Sequence, residues 1–125
     1  MDKYVPSGTY RFMSDFLDAE TFAARCPARA LLSRLADKWV MLVLLALRDG
    51  TMRHGAILRR IEGITQKMLT QTLRTLEGDG LVSRRVFDVV PPHVEYSLTS
   101  EGEKVAAMLD QLDAWIRSSV SHRMR

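Results

Sequence analysis

The feature that most constrains the fold of this chain is a single apolar run, Trp39 to Leu47, in the first half of the sequence. A run of this length fits one buried helix and is too short to span a bilayer, which takes about 20 apolar residues. Because the run is apolar on nearly every side, we expect its helix to lie at the centre of the core. The chain has 125 residues, which suffices for one domain with a proper core.

Composition and charge are those of a globular protein with a local positive segment. The residues are 46% hydrophobic and 26% charged, so we expect no disorder except at the ends. Seven basic and three acidic residues lie between Arg53 and Arg85, which gives this segment a charge of +4, whereas the rest of the chain carries −1. Concentrated positive charge is typical of proteins that bind nucleic acid, and it also fits a solvated basic face.

Other classes of protein find no support in the sequence. The N-terminus, MDKYVPSGTYRF, has no apolar export segment, and a single cysteine fits a reducing compartment, so we expect a cytoplasmic protein without a membrane partner. The three histidines lack metal-ligand spacing, and no glycine-rich phosphate loop or paired nucleophile and base is present. We therefore expect no metal, no cofactor and no enzymatic activity.

The first part of the chain predicts a loose segment followed by helices. Proline, serine and glycine lie together near the N-terminus, so residues 1–14 are predicted to be flexible and residues 15–125 to form a single domain. A weak helical pattern runs from Asp15 to Ala24. Pro27 suits the first turn of the next helix, and the apolar helix is predicted to begin near Asp37.

The middle of the chain predicts two helices joined by a tight turn and followed by a hairpin. The first helix is short, from about Arg53 to Ile61, and Thr65 is expected to cap the second. Two β-rich segments, Leu81–Phe87 and Val94–Leu98, predict the hairpin. The buried stripe of the second helix is predicted to consist of Leu69, Leu73 and Leu76.

The order of these elements is that of a winged helix-turn-helix. The predicted fold class is mainly α with a small antiparallel β-hairpin, with extra N- and C-terminal helices that are expected to serve dimerisation. The last helix is expected to begin at Thr99 or Ser100, and Ser100 with Glu103 matches a capping box.

Polar side chains on the exposed face of the second helix are suited to reading DNA. Gln can bond the major-groove edge of adenine, Arg or Lys can bond guanine, and the Thr methyl can touch thymine. Thr70 or Lys67 could equally bind a phosphate, which positions a helix without reading sequence. Because Arg84 and Arg85 point to opposite sides of a strand, at most one faces the core. The predicted DNA-binding residues are Gln66, Lys67, Thr70, Gln71, Arg74, Arg84, Arg85, His93 and Arg53.

The residues also resemble the HxlR family of bacterial winged-helix transcription regulators. The resemblance covers about Cys26 to Ile116. It rests on Cys26-Pro27, on Lys38-Trp39, on ITQKMLTQTLRTLEGDGLVSRRV, on VPPHVEYSLTSEG and on an element near Trp115. The chain departs from the family in two places. Ala36-Asp37 stands where members usually have a glycine pair, and the segment RHGAI stands where they usually have Arg-Phe-x-Glu-Leu.

The resemblance implies a homodimer that binds a pseudo-palindromic double-stranded DNA operator through a winged helix, with the terminal helices as the dimer interface. The last helix agrees, because its apolar stripe of about four turns is longer than a monomer should leave in water. The stripe could also pack only on its own domain. The predicted interface residues are Phe12, Phe16, Phe22, Met108, Leu109, Leu112, Trp115 and Ile116.

Cys26 is the predicted redox- or electrophile-sensing residue. It directly precedes the helix start at Pro27 and is flanked by Arg25 and Arg29, and both the helix dipole and nearby cations favour the reactive thiolate. Several members of the resembled family sense oxidants or electrophiles through a cysteine in this region. The opposing interpretation is a small buried hydrophobic residue, which free cysteine often is.

Two further functions stay open from the sequence. One is a winged-helix protein-interaction module that binds a protein through the same helix face and wing. The other is a dimer that responds to a small ligand, in a pocket lined by Trp39, Met41 and Phe16. His54 and His93 are interpreted as phosphate contacts or surface residues, and His122 as part of the tail.

Overall fold

The computed structural model describes residues 20–123, which divide between Asp37 and Lys38 into two compact units. The segment 1–14, predicted to be flexible, lies outside the described residues, as do Phe12 and Phe16 of the predicted dimer interface. The prediction of a single domain over residues 15–125 stays a prediction.

The first unit contains turns and one helix. Helix α1 spans Pro27–Leu35, with Pro27 in its first turn as predicted. The helix predicted over Asp15–Ala24 is wrong for the part that is described, since residues 20–25 form turns with Ala23 N bonded to Glu20 O and Cys26 N bonded to Ala23 O. The sequence before Pro27 cannot run into the helix, because the proline ring forces the preceding residue into an extended conformation, ψ 124° at Cys26.

The second unit is built around the apolar helix α2, Lys38–Leu47. It contacts three further helices, α3 (His54–Arg60), α4 (Gln66–Gly78) and α5 (Ser100–Arg123). The predicted central position of the apolar run is therefore confirmed. The largest fully buried side chains of this unit are Val43, Leu44, Ile57, Leu69, Leu73 and Leu76.

Helix α4 forms as its sequence predicts. The Thr65 hydroxyl accepts a hydrogen bond from the Met68 backbone N–H at 3.1 Å, which satisfies one of the free donors at the start of the helix. The predicted apolar stripe is buried, and Thr72 is buried beside it. Gly80 has φ +75°, a left-handed conformation that favours glycine, so the chain turns there into the hairpin.

The sheet has three strands in the order β1-β3-β2, and all neighbours are antiparallel. The predicted hairpin consists of β2 (Val82–Phe87) and β3 (His93–Leu98), with Val82 opposite Leu98 and Phe87 opposite His93. Strand β1, Met52–Arg53, was not predicted. A segment of two residues is too short to show the alternation of a strand in its sequence. The strand is recognised only from its pairing with β3, in which Met52 lies opposite Tyr96.

The start of α5 is fastened to the end of α4 through Thr99 and Leu81. The Thr99 hydroxyl accepts from Gly102 N at 3.0 Å and donates to Gly80 O at 2.6 Å, and Thr99 N donates to Leu81 O at 3.0 Å. Thr99 therefore supplies the capping hydroxyl, and the capping box predicted at Ser100 and Glu103 is wrong. A Cβ on Gly102 would lie 1.9 Å from Leu81 O, so only glycine fits this crossing.

The sequence of helix, turn, helix and hairpin confirms the predicted fold class, a mainly helical winged helix-turn-helix with a small antiparallel sheet. Within residues 20–123, no helix combines the length and the apolar character that a bilayer crossing requires.

Candidate nucleic-acid interface

One hollow on the surface gathers the polar side chains of α4. All five residues predicted to form its DNA-reading face line this hollow of about 460 Å³, together with His54 from α3. The spacing explains the arrangement, because positions three and four apart lie on the same side of a helix. The lining residues are His54, Gln66, Lys67, Thr70, Gln71 and Arg74.

The hollow is electropositive and has hydrogen-bonding walls. Lys67 and Arg74 supply two cations, and none of the lining residues is acidic. Gln66, Lys67, Gln71 and Arg74 are exposed, so their donors and acceptors are free to meet a ligand in solvent. Thr70 is half-buried, and its hydroxyl donates to Gln66 O at 2.9 Å.

Arg84 extends this surface onto the wing. It lies opposite Tyr96 in the hairpin register, and residues directly opposite each other in an antiparallel pair share a face of the sheet. Arg84 and Tyr96 line a second hollow, of about 300 Å³, which also includes Thr70, Arg74 and Glu77 of α4. The two hollows share Thr70 and Arg74, so helix and wing form one continuous surface.

Three other predicted DNA-binding residues, Arg53, Arg85 and His93, lie on the opposite face of the sheet. Arg85 and Arg53 are both opposite Glu95, one from each side of the central strand. His93 Nε2 lies 3.0 Å from Glu95 Oε2, and its ring stacks on Phe87 with a centroid separation of 4.6 Å. The Arg85 guanidinium lies 4.7 Å from the centre of the same Phe87 ring. Arg53, Arg85 and His93 are therefore set apart from Arg84, as strand alternation predicts for the two neighbouring arginines.

Helix α5 exposes the apolar side chains predicted for dimerisation. Trp115 is 63% exposed and Met108 61%, and Leu112 and Ile116 are also exposed, while Leu109 is half-buried. In the first unit, Phe22 is 89% exposed. Large apolar side chains in water usually mark an interaction surface.

A wider groove of about 650 Å³ lies between α2, α3 and α5. Its apolar floor includes Leu42, Leu45 and Ile61. Its charged rim is joined by ion pairs, namely Arg48–Asp110, Arg60–Asp49 and Arg117–Asp113. The hydrogen bond that Arg117 Nε donates to Asp113 Oδ2 raises the pKa of the Arg117 guanidinium above its usual value. The predicted ligand-lining residues Trp39 and Met41 do not border this groove, and Phe16 lies outside the described residues.

Cys26 is buried, with 1% of its surface exposed. It directly precedes the first turn of α1, as predicted, and the Arg29 guanidinium reaches back to donate to Phe22 O at 2.8 Å. The thiol is therefore screened from reagents in solution in this arrangement. Across the described part of the chain, no group of three or more metal-ligating side chains of His, Cys, Asp or Glu comes together.

Sequence reasoning missed one member of this surface. Tyr96 enters the second hollow because the register of the hairpin places it opposite Arg84. His54, interpreted from the sequence as a phosphate contact or a surface residue, enters the first hollow because α3 places its ring beside Thr70, at 3.1 Å from Nε2 to Oγ1. The alternation of β3 carried a signal for Tyr96, whereas the contact between His54 and Thr70 depends on how two helices pack.

Comparisons with known proteins agree with this geometry. The HxlR-like helix-turn-helix family matches residues 34–124. The chain is 46% identical over 99 residues to the uncharacterized HTH-type transcriptional regulator YtfH of Escherichia coli (strain K12), an alignment that covers 79% of each protein.

Solved structures show the same fold. The ytfH regulator from Salmonella typhimurium is 44% identical, with a TM-score of 0.73 over 83% of this chain and 96% of that one. The redox regulator HypR in its oxidized form is 40% identical, with a TM-score of 0.69 over 74% of this chain and 96% of that one.

Proposed function

The chain belongs to the HxlR-like helix-turn-helix family and is a transcription regulator, and from this premise we propose that it binds a pseudo-palindromic DNA operator as a homodimer. A single observation carries the proposal: five hydrogen-bonding side chains of α4 and no acid line one hollow. Helix α4 would enter the major groove, where its glutamines, lysine and arginine can distinguish base edges.

The wing supports this assignment. Arg84 continues the surface of α4, at the position where a phosphate of the adjacent backbone would lie once the helix occupies the groove. Arg53, Arg85 and His93 lie on the other face of the sheet and are assigned to a more distant backbone segment. Because phosphate contacts carry no sequence information, we expect these residues to contribute affinity rather than specificity.

The homodimer rests on the exposed apolar face of α5. Two chains that pair through Met108, Leu112, Trp115 and Ile116 would each cover what the other exposes. A two-fold axis through such a contact would present two α4 helices to successive major grooves, with half-site centres about 34–36 Å apart. The proposal implies a cytoplasmic protein, since the operator DNA lies in that compartment.

Selection of bound duplexes from fragments of the host genome tests the proposal. We expect a recovered motif with two inverted half-sites about 10 base pairs apart, or a multiple of this, centre to centre. Sedimentation of the protein with and without the recovered duplex should give a dimer in both cases. A chain that recovers no motif, and whose binding to duplex DNA does not depend on salt, would contradict the assignment.

A protein-interaction module is the alternative from another class. The same hollow and wing could bind an acidic protein, and DNA affinity would then be incidental. Salt and sequence dependence separate the two functions. An operator-binding dimer discriminates strongly between selected and scrambled duplexes at the same salt concentration, whereas an incidental cationic surface does not.

Sensing through Cys26 is a second proposed function, supported by the likeness to a protein described as a redox regulator. Since Cys26 is buried, modification would require the packing around the thiol to open, and the added bulk would then prevent its return to the described arrangement. This displacement would change operator affinity. The opposing interpretation, a buried structural residue, predicts no change in affinity.

Alkylation with iodoacetamide tests the sensing proposal. Operator affinity is measured before and after labelling, with Cys26→Ser as the control that cannot be labelled. A sensor loses or gains affinity on labelling, and Cys26→Ser binds DNA normally without a response. Labelling at the rate of global unfolding, or labelling without effect on DNA binding, would assign Cys26 to the core.

A further inference from the structure

His54 has a defined position in the surface that faces DNA. It is the first residue of α3, and it lines the hollow with the five polar residues of α4. Its Nε2 lies 3.1 Å from Thr70 Oγ1, in a contact that is partly buried. Thr70 in turn bonds Gln66 O at 2.9 Å, so three residues of the surface are linked in series.

A hydroxyl has one proton, and a backbone carbonyl can only accept. Thr70 can donate its proton to Gln66 O and then accept from His54 Nε2, or it can donate to an unprotonated Nε2. A charged imidazolium can only donate, so in that state Nε2 donates to Thr70 Oγ1 and the Thr70 proton goes to Gln66 O. Both contacts are therefore compatible with a charged ring.

The charges around His54 are positive. Arg53 precedes it in the chain, and Lys67 and Arg74 line the same hollow. Of the titratable and charged residues on the elements that pack against α3, only Lys67 and Arg74 share the hollow with His54. The residues compared are Lys38 on α2, Arg53 on β1, Lys67, Arg74 and Glu77 on α4, and His93, Glu95 and Tyr96 on β3.

A DNA phosphate in the hollow would place a negative charge beside the ring and favour its charged form. Imidazole is the side chain that changes its charge in the physiological range, between about pH 5 and 8. The two states of His54 should therefore differ in their affinity for DNA.

We propose that His54 is a proton-linked DNA contact: its ring takes up a proton when the α4 surface docks on DNA, and the resulting imidazolium binds a backbone phosphate. The inference rests on the proposed operator binding and adds to it a charged contact at the start of α3 and a dependence on pH. No proton leaves Thr70, and the one taken up comes from solvent. The DNA-bound state is then favoured at acidic pH.

Linkage gives the sign and size of the effect. A group that binds a proton together with DNA raises the affinity as the pH falls, by up to about tenfold per pH unit for each protomer. The effect vanishes above the range in which the DNA-bound ring titrates. The imidazolium also displaces a counterion, so the slope of log K against log salt should steepen by about one per protomer at about pH 6 and be unchanged at about pH 8.

The test compares operator affinity from about pH 6 to 8 in wild type and in His54→Gln. A glutamine amide can still donate to Thr70 Oγ1 and stays neutral at every pH, so it removes the charge with the least change in structure. We expect a shallower pH dependence in the variant, and a lower salt slope only at the acidic end. The matched control is His122→Gln, which removes an exposed histidine near the end of α5, outside the surface that faces DNA, and should keep the wild-type pH dependence.

A second measurement uses the unaltered protein. The ring resonance of His54, followed by NMR against pH, should titrate at higher pH when a selected operator duplex is present than without it. An unchanged midpoint, or a His54→Gln variant with the pH dependence of wild type, would overturn the proton-linked contact and leave operator binding intact. Wild type that binds no duplex at any pH would instead remove the proposed function together with this inference.

Discussion

Helices α4 and α5 both expose a face to solvent, and the two faces have opposite chemistry. The exposed face of α4 consists of glutamine, lysine, threonine and arginine around one hollow. The exposed face of α5 contains Met108, Leu112, Trp115 and Ile116. The first face is well hydrated in water, and contact with a polyanion would add favourable electrostatic energy. The second orders water around apolar surface, and burial of that surface is favourable by about 25 cal/mol per Å².

Under the proposed function, this difference would divide two tasks between the helices. Reading a sequence needs polar groups that remain hydrated until DNA replaces the water, and α4 has its buried residues on one side only. Association of two chains needs apolar area, and α5 exposes such area among the described residues. The joint between the two helices, formed by Thr99, Gly102 and Leu81, ties the position of one face to that of the other.

The largest effect is expected from charging the α5 face. Leu112→Asp or Trp115→Asp would place an unpaired carboxylate in the dimer contact, at a cost of about 2 kcal/mol or more for each protomer. Because both side chains are exposed in the single chain, the variants should keep their circular dichroism. Sedimentation should then show monomers, and operator binding should be lost.

Gln111→Asp is the matched control, since Gln111 is an exposed polar residue on the same helix. It should dimerise and bind DNA normally. A wild-type chain that sediments as a monomer at micromolar concentration and yet binds an inverted repeat tightly would contradict the division of labour between the helices.

The next largest effect is expected from a substitution at the joint between α4 and α5. Gly102→Ala would drive a Cβ into Leu81 O, so α5 must shift, and we expect about 3 kcal/mol lower stability in urea unfolding. Gly78→Ala is the comparison on α4, where a Cβ meets no atom within 4 Å. There the added helix propensity should raise stability by about 0.5–1 kcal/mol. Equal effects of the two substitutions would show that the crossing is not tightly packed.

A smaller effect is expected from truncating side chains of the α4 face. Gln71→Ala or Arg74→Ala should cost about 1–3 kcal/mol of affinity for the selected operator if the side chain reads a base, and much less for a scrambled duplex. Thr75→Ala removes an exposed side chain of the same helix that does not line the hollow, and it should leave affinity unchanged. If Thr75→Ala weakened binding as much as the other two, a different face of α4 would contact DNA.

The smallest effect separates the two faces of the wing. Arg84→Ala should weaken binding to all duplexes about equally, by about 1 kcal/mol, and lower the salt slope by about one unit for each protomer. Arg85→Ala should do less, because its guanidinium lies over Phe87 on the opposite face. Anisotropy titrations at several salt concentrations measure both slopes, and the reverse order would place the other face of the wing against DNA.

The predictable parts of this protein are those with a strong local signal. The period of Leu69, Leu73 and Leu76 predicted the buried side of α4 and hence its exposed side, and Thr65 predicted its start. The central helix followed from an apolar run that no other element matches. The predictions that were wrong used weak signals: the pattern before Pro27, and a capping box that Thr99 displaced by one residue.

The amino-acid sequence by itself determined the helices, the hairpin, the charge of the middle segment and the set of side chains on the α4 face. These depend on local periods, caps and turns, in which each residue interacts with near neighbours along the chain. Tertiary structure alone decided that β1 pairs with β3, that Arg84 joins α4 while Arg85 turns away, and that His54 bonds Thr70. Those facts depend on register and on the packing of elements distant in sequence, where a shift of one residue moves every side chain to the other face.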